Sequence, residues 1–484
     1  MKTLCTLLAL VIQISSQADF DKMGETLIGK IRSGEKDLTV KIQPGVYFFR
    51  EDHLDLSQVN EPDVRITLIG EHATIVAEGA RVDASHPLDP LKGYVSLSGG
   101  NADPWGLFQQ SDRLIEVLSS KTRQCRISRA GAGLGKDSAA PRFLRITRWY
   151  HSSIYPVEKM DDSYVYFTAD DLTRDSLSKW NVNDDYNYGH LFPRFSLLSG
   201  FTQDRQGLHE CRTTRFLKLW YGSGLRSFSM SGLRFLGNAR EGLTGLLEFM
   251  CPQCECSLSG CAFEGIRSAR VISVGNRNEV RIEDCVFRDI YEDGVNASHS
   301  SVKTEVIGCR FERCGLGMQN SFCVSCAGSG FRVAHNLFSD FGYSAIGLGY
   351  GYLNEKTGDI SGIAEYNRLY YSDEWAGHPD QHTLMDSGAI YVSTQNDRTV
   401  IRYNRISSYT GMKDNRGIFC DDGAYNLEIY GNTILGITNS YSIDSRRCKR
   451  IERDPQSKVQ RVNFNIKIYD NVTDAPVRFE PRED

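Results

Sequence analysis

The sequence predicts an all-β protein, a right-handed parallel β-helix (a solenoid) with a smaller β module inserted into it. Three observations carry that reading. First, one short phrase recurs nine times from about residue 230 onward: an apolar residue, two residues, Cys or Asn (once Leu), one residue, then usually Phe or Ile. It centres on Leu233, Cys261, Cys285, Cys309, Asn336, Asn367, Asn404, Asn432 and Asn471, and self-similarity at about 20 to 50 residues marks a stacked-repeat chain. Second, Val280-Arg281-Ile282, Phe331-Arg332-Val333 and Leu427-Glu428-Ile429 alternate apolar and polar residues just before the phrase, which is strand period and not helix period. Third, the steps run from 24 to 39 residues. The short ones leave no room for a four-stranded blade but fit one coil of a parallel β-helix, whose turns stack about 4.8 Å apart. The longer steps then carry loops.

Residues 1–18 combine Lys2, an apolar run from Leu4 to Ile14 and Ser16-Gln17-Ala18. That pattern reads as a secretory signal peptide with cleavage near Ala18, the alternative being a short buried helix. Export places the product outside the cytoplasm, secreted or periplasmic. No later apolar run reaches the roughly 20 residues that span a bilayer. Residues 19–82 hold Leu38 to Ile42, Pro44-Gly45 and Val64 to Ile69 followed by Gly70, alternating strands and turn residues expected of a cap and first coils. From 83 to 224 the phrase disappears and aromatic and charged stretches such as Tyr164 to Phe167 replace it, so an inserted β module is expected there. The main helix follows over 225–484.

At a fixed corner of such a stack, Asn336, Asn367, Asn404, Asn432 and Asn471 are expected to form an amide ladder onto the turn backbone. Cys261, Cys285 and Cys309 extend that column as small buried groups. Thirteen cysteines follow residue 18, an odd number that leaves a thiol unpaired within the chain. The expectation is buried solenoid cysteines with one or two disulfides between adjacent coils, set against a zinc reading of Cys251, Cys254 and Cys256 with Cys323 and Cys326.

Two insertions interrupt consecutive coils, Gly342 to Tyr352 and Asp373 to His382. Loops on a rigid stack are where binding residues concentrate. Tyr350, Tyr352 and Trp375 are candidate sugar-stacking rings, and His378 and His382 candidates for orienting a carboxylate or holding a sugar hydroxyl. After them come Asp386-Ser387-Gly388-Ala389-Ile390-Tyr391 and, one coil on, Gly417-Ile418-Phe419-Cys420-Asp421-Asp422-Gly423. Counting back 14 residues from Asn404 and Asn432 stacks Ile390 on Ile418, which turns Tyr391, Phe419 and Asp421 outward with Ser393 beneath Asp421. Asp386, Asp421 and Asp422 are the candidate catalytic acids and Tyr391 a candidate substrate contact. Paired carboxylates are what glycoside cleavage requires, one to protonate the leaving oxygen and one to attack or activate water. Asp386 lies four residues before the stacked Ile and Asp421 three after it, so pairing them needs a bend at Ser387-Gly388. Asp414 is the register mate of Asp386 and keeps a supporting role.

These motifs resemble the β-helix glycoside hydrolases of glycoside hydrolase family 141 and, more distantly, the β-xylosidases of family 120. The resemblance rests on residues 331–435. It implies an exported enzyme acting on plant-type glycans, an inserted β domain early in the helix, and Asp386 and Asp421 as the two acids. The chain has Phe419-Cys420 where a Tyr-Leu-like pair is common, and Asp422 where Glu often stands. Two other classes remain open: a polysaccharide lyase holding Ca²⁺ through acids such as Asp373, Glu374 and Asp380, and a non-catalytic glycan-binding solenoid. The expected partner is a carbohydrate, with no cofactor or metal under the hydrolase reading. A net charge of −5 and pI near 6.1 give no nucleic-acid footprint.

Overall fold

The computed structural model describes residues 9–49 and 52–77, the strands and their flanks within 115–168 and 201–210, and, with short breaks, 215–349, 360–375, 387–408, 416–445 and 464–479. Three long parallel sheets of twelve, eleven and eleven strands dominate. Leu10–Ile14 adds to the twelve-stranded sheet alone, and each later coil contributes one strand to each sheet. In one coil these are Gly388–Val392, Gln395–Arg402 and Arg405–Ser407; in the next, Arg416–Cys420, Tyr425–Tyr430 and Thr433–Leu435. Below, sheet one is the twelve-stranded sheet containing Gln395–Arg402, sheet two contains Gly388–Val392, and sheet three contains Arg405–Ser407. This is the parallel β-helix that the repeat predicts. Among the described residues no helix is long and apolar enough to cross a membrane.

The repeat positions explain the stack. Phe235, Phe263, Phe287, Phe311 and Phe338 face inward from sheet three and stack at centroid separations of 5.2, 5.0, 4.5 and 4.9 Å. Leu369, Ile406 and Ile434 continue the column in register. At the neighbouring corner Asn367 Oδ1 accepts from Asn336 N and Nδ2, both at 3.0 Å, while Asn367 Nδ2 donates to Val333 O at 2.8 Å. Asn404, Asn432 and Asn471 repeat the arrangement. Each amide therefore satisfies turn groups that burial would otherwise leave unpaired.

The corner itself is made one residue earlier. Every one of the nine phrase positions follows a residue with positive φ: Gly232, Gly260, Asp284, Gly308, His335, Tyr366, Tyr403, Gly431 and Asp470, with φ from 53° to 66°. The left-handed residue turns the chain between sheets one and three, and the amide or thiol behind it closes the turn.

The cysteines are buried as expected: all eleven described ones are, and no disulfide joins coils among them. Cys285 N donates to Cys309 Sγ at 3.4 Å and Cys309 Sγ donates to Ile282 O at 3.6 Å, so the thiols continue the amide ladder as hydrogen-bonding links. Among the described residues no group of three or more His, Cys, Asp or Glu is arranged to hold a metal ion.

Two boundaries also differ. The stack resumes at Leu217–Leu219, which pairs with Leu54–Asp55 on one side and Leu247–Phe249 on the other, a few residues before 225. Residues 91–197 belong to a second compact unit, whose described part is an antiparallel five-stranded sheet from Ile115–Ser119 to Tyr164–Thr168. At the N-terminus, the apolar run expected to form the core of an export signal supplies Leu10–Ile14. That segment is a strand parallel to Asp37–Ile42 with Ile14 buried. Ser16 then caps the helix Gln17–Asp21 through a reciprocal bond with Asp19. Cleavage near Ala18 would remove both that strand and that cap.

Candidate active site

Register places the site on the outer face of sheet two. Ile390 pairs with Ile418, Tyr391 with Phe419 and Val392 with Cys420. Val392 and Cys420 join the core, whereas Tyr391 and Phe419 lie outside it. Asp421 follows directly on the outward side. Its N donates to Val392 O at 2.7 Å, and Ala424 N donates to its carbonyl at 3.2 Å, closing a turn that holds the residue at the strand end. The Tyr391 hydroxyl donates to Asp421 Oδ2 at 2.6 Å. That bond fixes the direction of a half-buried carboxylate.

An aromatic wall backs this pair. Tyr391 lies 5.6 Å from Phe419, 6.0 Å from Phe322 and 6.2 Å from Tyr343, centroid to centroid. Gly347 makes room for it, since a Cβ there would come within 2.5 Å of the Phe322 ring. Phe322 and Tyr343 were not legible as site neighbours, because nothing in the strand alternation says which outward positions will bear rings in adjacent coils.

The same face carries a buried charged cluster one coil on. Arg416 Nε donates to Asp444 Oδ2 at 2.6 Å, with side chains 1% and 0% exposed, and Arg478 adds two donations at 2.7 Å. The Arg416 guanidinium lies 4.1 Å from the centre of the Phe419 ring. Three guanidinium donations occupy the Asp444 carboxylate, which marks it as a structural anchor of the Phe419 strand. Further up the sheet, Asp293 accepts from Phe322 N at 2.8 Å and Asn296 Nδ2 at 2.7 Å. Burial nevertheless pushes Asp293 up to about 6. It sits three coils from Tyr391 along sheet two, roughly 14 Å at the strand spacing, too far to share a bond with Asp421.

The remaining sequence candidates fall as follows. Asp386, Asp422, Asp414, Tyr350, Tyr352, His378 and His382 lie outside the described residues. Trp375 is 3% exposed and packs in the main hydrophobic core, so its ring is not a solvent-facing platform; burial of its large apolar surface outweighs display. Tyr391 is 5% exposed and commits its hydroxyl to Asp421. Ser393 is 8% exposed and follows Val392 as Asp421 follows Cys420, which puts it beneath Asp421 as the register implies.

Attachment points correct the picture of the two insertions. The first leaves the end of Ser344–Leu348 for sheet one, while the second enters the start of Gly388–Val392 from sheet three. Their described attachment points therefore lie at opposite edges of sheet two. Gly388 to Val392 run in ladder register with Arg416 to Cys420, so no bend falls inside the strand. Ser387 and Ser393, its two flanks, are about 20 Å apart at ~3.3 Å per residue.

No family model matches the chain, and no curated protein matches it. Among solved structures, it is similar to one titled "Glycoside hydrolase", with TM-score 0.52, 10% sequence identity and 96% of each chain covered. A family 28 exopolygalacturonase of Yersinia enterocolitica is also found, at TM-score 0.28 and 10% identity over 98% of this chain and 79% of that one. At these identities the first likeness speaks for the fold, and the second carries no argument.

Proposed function

We propose that the chain is a glycoside hydrolase acting on complex plant-type polysaccharides or their oligosaccharides, with Asp421 as the carboxylate that attacks the sugar or activates water. The observation that carries this reading is the Tyr391 hydroxyl seated on Asp421 Oδ2 at 2.6 Å, at the strand end on the outer face of sheet two. A carboxylate that reaches the solvent side, aimed by a neutral donor and backed by aromatic rings, has the chemistry of a base or nucleophile at an apolar sugar face. The motif resemblance over residues 331–435 and the β-helix neighbour titled as a glycoside hydrolase support the same class.

The proton donor is Asp386 or Asp422. Asp386 carries the claim on the motif resemblance, and the described strand that follows it, Gly388–Val392, starts at the edge of sheet two opposite Asp421. Asp422 is the next residue to Asp421. Turnover of aryl glycosides and plant polysaccharide fragments by wild type, Asp386→Asn, Asp421→Asn and Asp422→Asn separates them. Asp421→Asn should lose about 10³-fold or more in kcat, and azide should restore turnover in whichever variant lacks the nucleophile of a retaining reaction. Unsaturated products absorbing in the ultraviolet would replace this reading with the Ca²⁺-dependent lyase. Export is part of the proposal, and sequencing the mature N-terminus tells whether Leu10–Ile14 is retained.

A further inference from the structure

Most outward charges along this stack face an opposite charge from coil to coil; Glu255 facing Glu279 in sheet one is a like-charge pair of acids. Register neighbours of opposite sign are Asp37 and Arg65, Lys218 with Asp55 and Glu248, Arg288 with Glu264 and Glu312, Glu305 with Arg281 and Arg332, Glu365 and Arg402, and Glu428 and Lys467. Arg368 and Arg405 are the like-charge pair of cations. They are register neighbours in sheet three, both exposed, and the only cation facing a cation across such a pair among the described strands. Like charges directly opposite one another repel. Neither guanidinium has an ion pair or hydrogen bond among the described residues. Arg368 lies 5.2 Å from the centre of the Tyr370 ring. The column they occupy runs Arg310, Leu337, Arg368, Arg405, Thr433, Val472 and holds no carboxylate.

A second departure sits two residues before each arginine. Tyr366 and Tyr403 occupy the left-handed corner position, with φ of 55° each. That conformation disfavours a bulky side chain, and glycine fills it in four of the nine coils. The turn itself therefore does not call for tyrosine. The two rings are 48% and 44% exposed and stack at 5.1 Å. His335 continues the row at 5.1 Å above Tyr366, and Tyr430 and Tyr469 extend it below Tyr403 at 5.6 and 4.9 Å steps. The result is a row of rings about 20 Å long, in which the Tyr430 hydroxyl accepts from Arg402 Nη1 at 2.9 Å, with the guanidinium groups of Arg368 and Arg405 along its flank.

We infer that this outer corner is a second glycan-binding surface, separate from the Asp421 face, that holds an extended polysaccharide bearing uronic acids. Carboxylates on successive sugars would lie between Arg368 and Arg405, relieving their repulsion through charge-assisted hydrogen bonds. The tyrosine hydroxyls and ring edges would meet sugar hydroxyls and C–H groups along the same line. The inference adds to the glycosidase reading only the acidic class of the polymer, and it stands without catalysis.

Affinity electrophoresis in gels containing polygalacturonate, with neutral galactan as the comparison, tests it on the full chain. Wild type and Asp421→Asn should both be retarded by polygalacturonate and not by galactan. Arg368→Gln/Arg405→Gln should weaken retardation about tenfold or more, and Tyr366→Ala/Tyr403→Ala by less, with turnover of a small aryl glycoside unchanged. Unchanged thermal unfolding of the arginine variant, whose side chains are exposed, certifies its fold. Retardation that the arginine substitutions leave intact, equal retardation by galactan, or binding of the chain to phosphatidylserine vesicles in place of the polyuronate overturns the inference. Retardation lost in the arginine variant while Asp421→Asn keeps full hydrolytic activity would sink the catalytic assignment and leave the ridge standing.

Discussion

Sheet two holds its carboxylates in two different ways. Toward the N-terminal end of the outer column, Glu248 is fully buried, paired with Arg215 at 2.9 Å and hydrogen-bonded by Trp220. At the C-terminal end Asp444 is fully buried against Arg416 and Arg478. Between those ends the column reads Ser273, Asn296, Ser325, Gly347, Tyr391 and Phe419, and the carboxylate beside it, Asp421, accepts from a phenol hydroxyl at Oδ2. A buried acid that serves packing is neutralised by a cation, because an unpaired charge in the interior is costly. An acid that must change its bonding during a reaction is better served by a neutral donor that aims it without cancelling its charge. Under the proposed function, Asp421 beside this stretch is the acid that does the chemistry.

The contrast can be broken from either side. The largest effect is expected at the anchored end. Asp444→Ala removes the carboxylate that takes three guanidinium donations, one of them from the buried Arg416, and should cost about 3–5 kcal/mol of stability, read as a collapsed denaturant midpoint. Next comes the corner ladder: Asn404→Ala removes the acceptor of Asn367 N and Nδ2 and leaves buried donors unpaired, which should cost about 2–3 kcal/mol. Tyr391→Phe removes only the donor on Asp421. It should lower kcat roughly 10- to 100-fold, the worth of one hydrogen bond to a charged group, with a nearly unchanged melting temperature. A large stability loss in that variant, with activity per folded molecule intact, would make Tyr391 a packing residue.

The smallest effect is a pH dependence at Glu248. Burial raises its pKa above the ordinary carboxylate value against the opposing contacts of Trp220 and Arg215. A raised folded value means that its contribution to stability is full below the unfolded value and is lost as pH rises through the folded one. Glu248→Gln does not titrate, so its stability relative to wild type should improve as pH is raised from 4 to 7. A difference that stays flat or moves the other way over that range would show that the Arg215 contact, and not burial, governs the group.

Much of the stack was legible before any coordinates. Period-2 strands and the recurrent phrase gave the β-helix, the amide ladder and the register of Ile390 on Ile418, because each coil repeats one set of backbone constraints. The corner residues were not legible: His335, Tyr366 and Tyr403 take a left-handed conformation that their side chains disfavour, so their sequence carries no signal for it. Trp375 misled for the converse reason, since a large ring within a polar insertion looks displayed until a core is found to bury it. The ladder positions of Cys261, Cys285 and Cys309 were legible, while the hydrogen-bonding use of the Cys309 thiol, which accepts from Cys285 N and donates to Ile282 O, was not. Apolar residues at Leu10–Ile14 served equally well as an export run and as a first strand, and composition alone does not separate the two.

The role of Asp421 is tested most directly by kcat/KM for Asp421→Asn on a hydrolysed aryl glycoside, measured beside its melting temperature. The account predicts a loss of about 10³-fold or more in a protein that melts within a few degrees of wild type. Activity within a few-fold of wild type in that folded variant would contradict it.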